Sequence, residues 1–436
     1  MSGRKASSLV AGLRRAAPYG VGALSLLANA LFVWPLIGRL ASPALTGEIS
    51  AGLATIGMAA PLTTVGIHIL VMRDSAEPDL HHRREARSAV GAAMWVGVPL
   101  ALALFALGLA LSPDAGVLAF CSVSGGLSLI VISMARGLAR PGVFMVQAIA
   151  AQTLALVIGA VAAIATHRAF PGFAAIGVST ALTSILGAHR LGCLGLAPAG
   201  LVALRRAIRS AMPLVPHLVL TVATIQGVRL AVAVTQGFEA AAHAQFALLL
   251  GGLPITGVIT LNGYWSVEAL RQPIGESFDQ VCRSYGAKLV GSAFALALCT
   301  LGVMRLGLDS WLPPGYPIDD VATAVALMLP AAVFQALADA QSTRAMKADR
   351  LGILSTATAA GALATFVVVV TFADALGIAA AGIGVSAGLI LRYVVGAAAL
   401  SARSIPQGLP WSALALGGLS AGGWAVGVVM LWAGVS

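Results

Sequence analysis

Apolar residues come in runs of about 20, the length a helix needs to cross the hydrocarbon core of a bilayer. Polar residues gather in short clusters between these runs. Thirteen runs can be marked: residues 19–40, 50–72, 89–111, 117–134, 144–165, 173–191, 212–235, 240–262, 289–308, 321–338, 351–372, 377–400 and 411–432. The pattern predicts an all-α polytopic membrane protein of 12–14 spans, with thirteen the best count. The basic start, MSGRKASSLVAGLRRAAPYG, runs into an apolar stretch far longer than the core of a signal peptide. It reads as part of an uncleaved first span.

Charge sets the orientation. Only 10% of the 436 residues are charged, against about 25% in a soluble domain. The net charge of +10 would suggest nucleic acid in a soluble protein. Here the positive-inside rule accounts for it, and no nucleic-acid partner is expected. With the N-terminus cytoplasmic, the inner segments collect 21 of the 26 Lys and Arg, and the outer side holds only Arg39, Arg168 and Arg305. Arg392 falls near the inner end of span twelve, and Arg229 lies within span seven. An odd span count puts the C-terminus outside. The longest outer loop, DSWLPPGYPIDD, is too short for a domain, and residues 263–288 are expected to lie along the membrane surface.

The chain also repeats itself weakly. GLRRA at 12–16 matches ALRRA at 203–207, an offset of 191, and GRLA at 38–41 matches VRLA at 228–231. Glu48 matches Glu239, and PLTTVG at 61–66 resembles PITGVI at 254–259. The order and near-constant offset predict two six-helix lobes related by a parallel internal repeat around a central cavity, a transporter design. The expected division is 1–191 for the N-terminal lobe, 192–204 for a cytoplasmic linker and 205–403 for the C-terminal lobe. An extra C-terminal transmembrane helix, 404–436, lies outside the repeat.

PLIGRLASPALTGEISAGLATIGMAAPLTTVGIHILVMR resembles the first hairpin of polysaccharide exporters of the Wzx type, and SAMPLVPHLVLTVATIQGVRLAVAV is similar to their span seven. Val228 stands where that family has an Asp before the arginine, and AHAQF where it has a Gly-x-Tyr. These exporters share a superfamily with MATE drug exporters and lipid II flippases. The resemblance covers spans one to twelve. It implies a flippase carrying undecaprenyl-diphosphate-linked oligosaccharide units across a bacterial inner membrane. A monomer is expected, with a polysaccharide polymerase and a chain-length regulator as possible partners beside membrane lipids.

Enzyme signatures are missing. No Lys is followed by Ser or Thr in a Walker A context, and HExxH is absent. GxSxG occurs at Gly384–Gly388 and Gly418–Gly422, inside predicted membrane helices, where it reads as a packing motif. The acidic pair Asp319–Asp320 closes a short loop, and Cys121, Cys193, Cys282 and Cys299 are scattered without ligand spacing. No catalytic residue, cofactor or metal site is expected.

Polar groups inside spans carry the remaining signal, because each costs free energy in hydrocarbon. Candidate substrate-binding residues are Arg229, Gln226, His217 and Thr221 on span seven, Asn29 on span one, and Arg39, which the repeat pairs with Arg229. At about 100° per residue, Gln226, Arg229, Thr221 and His217 share a broad polar face. Two guanidiniums suit a phosphate. The bland alternatives are snorkelling, interhelical hydrogen bonds, and ion pairs of Arg39 with Glu48 and Arg229 with Glu239. Asp339 is expected to pair with Arg344 or Arg136. The alternative function is a MATE-type cation-coupled exporter of small organic cations, which needs a carboxylate in its cavity; spans one and seven offer none. A membrane-embedded glycosyltransferase or polymerase is a further alternative, opposed by the short outer loops.

Overall fold

The computed structural model describes Ser25 and residues 27–76, 79–195, 198–273, 275–348, 350–403 and 411–435. Every regular element among them is helical. A π-helical stretch, Asn29–Val33, leads into α1 (Trp34–Leu40), and α2 (Pro43–Thr63) and α3 (Ile67–Ala76) follow. Then come α4 (Leu80–Leu111), α5 (Pro113–Gly137), α6 (Pro141–Ala148), a second π segment (Ile149–Leu154), α7 (Ala155–Thr166) and α8 (Ala169–Arg190). The second part holds α9 (Pro198–Ala211), α10 (Val215–Arg271), α11 (Glu276–Trp311), α12 (Ile318–Met328), α13 (Pro330–Lys347), α14 (Leu351–Leu376), α15 (Ala379–Ser401) and α16 (Trp411–Val435).

Among the described residues nine helices are long and apolar enough to cross a membrane, and the bent pair α2–α3 makes a tenth. One of the nine runs through α10 and covers both span seven and span eight of the sequence reading. Much of the predicted first span lies outside the described residues. So does part of the last connection, 404–410. The predicted spans sit within the helices that are described, and the differences lie at their ends and breaks.

Each break has a local cause. Span two is interrupted between α2 and α3 by a 59° bend. Pro61 removes a backbone donor there. Val65 and Gly66 then take positive φ angles of 48° and 75°, an unusual conformation for a β-branched residue. Spans seven and eight are joined at Gly237, whose φ of 88° and ψ of 176° only glycine adopts readily. Span ten is divided at Leu329, where Pro330 opens α13. Residues 263–288 are largely helical: α10 continues to Arg271 and α11 begins at Glu276. The linker expected at 192–204 is likewise helical from Pro198 onward, within α9.

The described residues form two compact units. One comprises Thr63–Ala163 and Phe170–Met212 with Asn29; the other comprises Ala30–Leu62, Ile164–Ala169 and Pro213–Ser436. In the first, α4 and α5 cross so closely that a Cβ on Gly108 would lie 1.9 Å from the Gly116 Cα. In the second, a Cβ on Gly361 of α14 would meet the Gly388 carbonyl of α15 at 2.6 Å, and one on Gly388 would meet the Thr365 hydroxyl at 2.0 Å. The Gly384–Gly388 motif is therefore a packing contact, whereas Gly418 and Gly422 face open space. The second unit also holds the turn beginning α2: a Cβ on Gly47 would lie 1.7 Å from the Phe238 carbonyl oxygen. Positions 47 and 238 are 191 apart, the offset of the repeat. Positions that the repeat matches thus touch each other within this unit.

That contact predicts a stability effect. In Gly47→Ala the added methyl meets a backbone oxygen that cannot rotate away, so the helices must separate. The expected loss is about 1–3 kcal/mol, read as a lower melting temperature in detergent. Gly142→Ala, where nothing lies within 4 Å, should melt like the parent.

Candidate functional site

The richest buried polar cluster described lies in the second unit, on α13 and its neighbours. Gln335, Asp339 and Thr343 follow at i, i+4 and i+8, so they share one helix face. Asp339 is 6% exposed and Arg392 of α15 is 5% exposed. Gln335 Nε2 donates to Asp339 Oδ1 at 2.7 Å. Arg392 Nη2 lies 4.0 Å from the same oxygen, and Arg392 Nη1 donates to Gln335 Oε1 at 3.4 Å. Asp339 Oδ2 is enclosed, with the Asn262 side chain beside it and no well-formed hydrogen bond among the described residues. Counting about 1.5 Å per residue, Asp339 lies about 12 Å from the C-terminal end of α13, within a helix long and apolar enough to cross a membrane.

Two further sets of polar groups adjoin it. The Tyr285 hydroxyl of α11 meets Asn262 Oδ1 at 3.1 Å, the Asp339 carbonyl at 3.3 Å and Thr343 Oγ1 at 2.9 Å. On another side, the His217 ring reaches α14, with Nδ1 3.2 Å from the Leu354 carbonyl and 2.7 Å from Thr358 Oγ1. A cavity of about 10 Å³ lies between α13, α14 and α15, lined by Gln341, Ser342, Thr358, Arg392 and small apolar side chains. That is room for one water. Gln341 Nε2, also enclosed, has no partner among the described residues.

Arg229 and Gln226 do come together, as their helical spacing predicts: Arg229 Nη1 donates to Gln226 Oε1 at 2.8 Å. Arg229 Nε is enclosed and unbonded. A Cβ on Gly57 of α2 would stand 3.5 Å from the Gln226 side chain, so this pair sits against the second half of α2. Glu239 is exposed and does not reach Arg229 among the described contacts. Arg39 is exposed at the end of α1 and donates to the Ser310 carbonyl, not to the exposed Glu48. The two expected arginine–glutamate pairs are therefore replaced by bonds to neutral oxygens. Both acids lie just after a helix break and face outward. His217 is in the interhelical bond described above, and Thr221 Oγ1 donates back to the His217 carbonyl within its own helix.

Asn29 is in the other unit. Its Nδ2 donates to the Gln152 carbonyl at 3.2 Å, while its Oδ1 is buried and unbonded. Thr153 Oγ1 donates to the Ser25 carbonyl beside it at 3.2 Å. Gln152 and Thr153 belong to the π segment, a distortion that often accompanies function.

The expectation for Asp339 is corrected. Arg344 donates instead to Asp279 at 2.8 Å, and Arg136 lies over the Phe144 ring. Arg392, counted in the sequence as a cytoplasmic-end charge, is the true partner. The signal that could have found it was the Gln335–Asp339–Thr343 face, three polar residues in register inside an apolar span.

No protein-family model matches the chain, and no characterised protein sequence matches it. Solved structures do. A MATE transporter in complex with MaL6 aligns over 89% of this chain and 96% of its own, with a TM-score of 0.60 at 14% identity. A variant of the Vibrio cholerae MATE transporter VcmN aligns over 91% and 98%, with a TM-score of 0.61 at 15% identity. The eukaryotic MATE transporter AtDTX14 aligns over 94% and 99%, with a TM-score of 0.52 at 14% identity. The chain therefore has the all-α polytopic fold of these transporters.

The cluster predicts an asymmetry in stability. Removing one partner of a buried pair costs about 3–5 kcal/mol when it leaves an uncompensated charge. Asp339→Asn strands a guanidinium that cannot shed its charge. Arg392→Gln leaves a carboxyl that can take up a proton. Melting curves should place Asp339→Asn clearly below Arg392→Gln, and equal losses would contradict the pairing.

Proposed function

We propose that the chain is a secondary active exporter of small organic cations, driven by exchange against an inward-moving cation, with Asp339 as the exchanging carboxyl. One observation carries this reading: a buried carboxylate at membrane depth on span ten, with one oxygen held by Gln335 and near Arg392 and the other beside Asn262 with no well-formed hydrogen bond among the described residues. It supplies the acid that spans one and seven lack. A carboxyl already balanced by a guanidinium has a defined choice. It keeps the internal ion pair, or it takes a proton and releases the arginine. The cavity between Arg392 and Thr358 and the His217–Thr358 bond extend polar groups beyond the pair. The likeness to MATE structures supports the exporter reading at the level of design, and one neighbour is described as a multidrug resistance transporter.

Arg229 favours a second reading. Its half-buried guanidinium faces only Gln226, with no acidic partner among the described residues. Such a group suits an anionic cargo, and the Wzx-type resemblance names one: a lipid-diphosphate-linked oligosaccharide. On that reading the partners would be the polymerase and chain-length regulator of a surface polysaccharide. Both readings put the protein in a bacterial inner membrane with its N-terminus cytoplasmic.

The two separate experimentally. Proteoliposomes loaded with a fluorescent organic cation and given an inward proton gradient should export it. Asp339→Asn should abolish that export, and Arg229→Gln should leave it within about threefold. In cells, loss of the gene should sensitise the host to cationic dyes with surface polymer unchanged. Loss of polymer with normal dye tolerance, and sensitivity of export to Arg229→Lys as well as Arg229→Gln, would instead favour the oligosaccharide reading.

A further inference from the structure

The helix joining the two halves of the repeat has a surface that the transport reading does not use. On α9, Leu204, Ala207 and Ile208 pack on the apolar core of the first unit, and Ala211 is buried on the same side. The opposite face is exposed and mixed. Leu201 and Val202 are 54% and 61% exposed. Arg205 and Arg209 stand one turn apart beside them, exposed and in no ion pair or hydrogen bond among the described residues. At about 100° per residue, Leu201, Arg205, Arg209 and Val202 fall within one sector about 100° wide.

The helix is fixed in place by α4. Arg206 pairs with Glu85, and Gly200 lies against the Ser88 carbonyl. Arg206, although its side chain is 63% exposed, is tied to Glu85, whereas Arg205 and Arg209 are exposed with no such tie among the described residues. Further along α4, Trp95 is 52% exposed and donates from Nε1 to the Leu194 carbonyl at 3.0 Å. Exposed indoles on membrane helices concentrate at the headgroup level of the bilayer, and this one is tied to the chain just before α9. That tie suits α9 to the depth of the lipid phosphates. Exposed arginines with apolar neighbours on one face are the design of an interfacial helix.

We propose that α9 is a binding site for acidic phospholipids, with Arg205 and Arg209 holding the headgroup phosphate and Leu201 and Val202 entering the acyl region. Two arginines at i and i+4 offer forked donors to phosphate oxygens. A basic cluster at the membrane surface attracts anionic lipid by about 1 kcal/mol per residue, a factor of about five each. Because α9 leads directly into α10, bound lipid would hold the junction of the two halves to the bilayer surface. The site is independent of what is transported.

The test uses purified full-length protein in a neutral detergent. Phosphatidylglycerol, phosphatidylcholine and inorganic phosphate are titrated separately, with bound lipid read by native mass spectrometry and stability by melting. The parent should retain phosphatidylglycerol over phosphatidylcholine and melt higher with it. Arg205→Gln with Arg209→Gln should lower that preference at least about tenfold while melting normally without lipid. Arg205→Lys with Arg209→Lys should keep most of it, because charge dominates at a hydrated surface. An unchanged preference in the folded Gln variant would overturn the proposal. So would an equal stabilisation by millimolar inorganic phosphate, which would reveal a soluble-anion site instead.

Discussion

Asp339 and Arg392 cannot be understood singly. Each is almost wholly buried within the membrane-spanning part of the chain, and a lone charge there would cost several kcal/mol even after relaxation. At 4.0 Å the pair is loose for an ion pair, and Gln335 fills the difference by bonding both ends, donating to the carboxylate and accepting from the guanidinium. The four-residue spacing of Gln335 and Asp339 puts the amide one helical turn from the acid. That geometry holds a charge in place without locking it, which is the condition a switching carboxyl requires.

The surrounding helices serve the same constraint. Arg392 reaches α13 because α14 and α15 approach at Gly361 and Gly388; a Cβ on Gly361 would stand 2.9 Å from the Arg392 Cβ. Gly396, one turn on from Arg392, lets the Gln341 amide press against α15. In lipid, where apolar surfaces gain little from meeting each other, such small-residue contacts are what bring helices together. The break at Pro330 lies nine residues before Asp339, so the acid sits on a half-helix with its own start. Lys347 at the C-terminal end of that helix donates to the Leu270 carbonyl at 2.8 Å and ties it to the last turn of α10.

Much of this was legible from residue order alone. Long apolar runs and the asymmetry of Lys and Arg identify a helical membrane protein, because hydrocarbon permits few alternatives. The spacing of Gln226 and Arg229 put them on one helix face, which is where their bond forms. What escaped was long-range partner choice. Asp339 has basic residues nearer in sequence, and only the close approach of α14 and α15 brings Arg392 to it across 53 positions. Arg39 and Arg229 match in the repeat, yet one ends a short helix in the open and the other sits inside a long one. A repeat preserves topology more faithfully than it preserves side-chain surroundings. The helix breaks at Val65–Gly66 and Leu329 were also hidden, because an apolar run looks continuous whether or not its backbone is.

The account stands on Asp339 changing its protonation state when cargo binds. Calorimetric titration of the purified protein with an organic cation, repeated in buffers of different ionisation enthalpy, counts the protons released on binding. The account predicts close to one proton released by the parent on the acid side of the Asp339 titration, where the carboxyl is protonated and Arg392 is released, and none by Asp339→Asn. Binding that releases no proton from the parent, or the same number from both proteins, would contradict it.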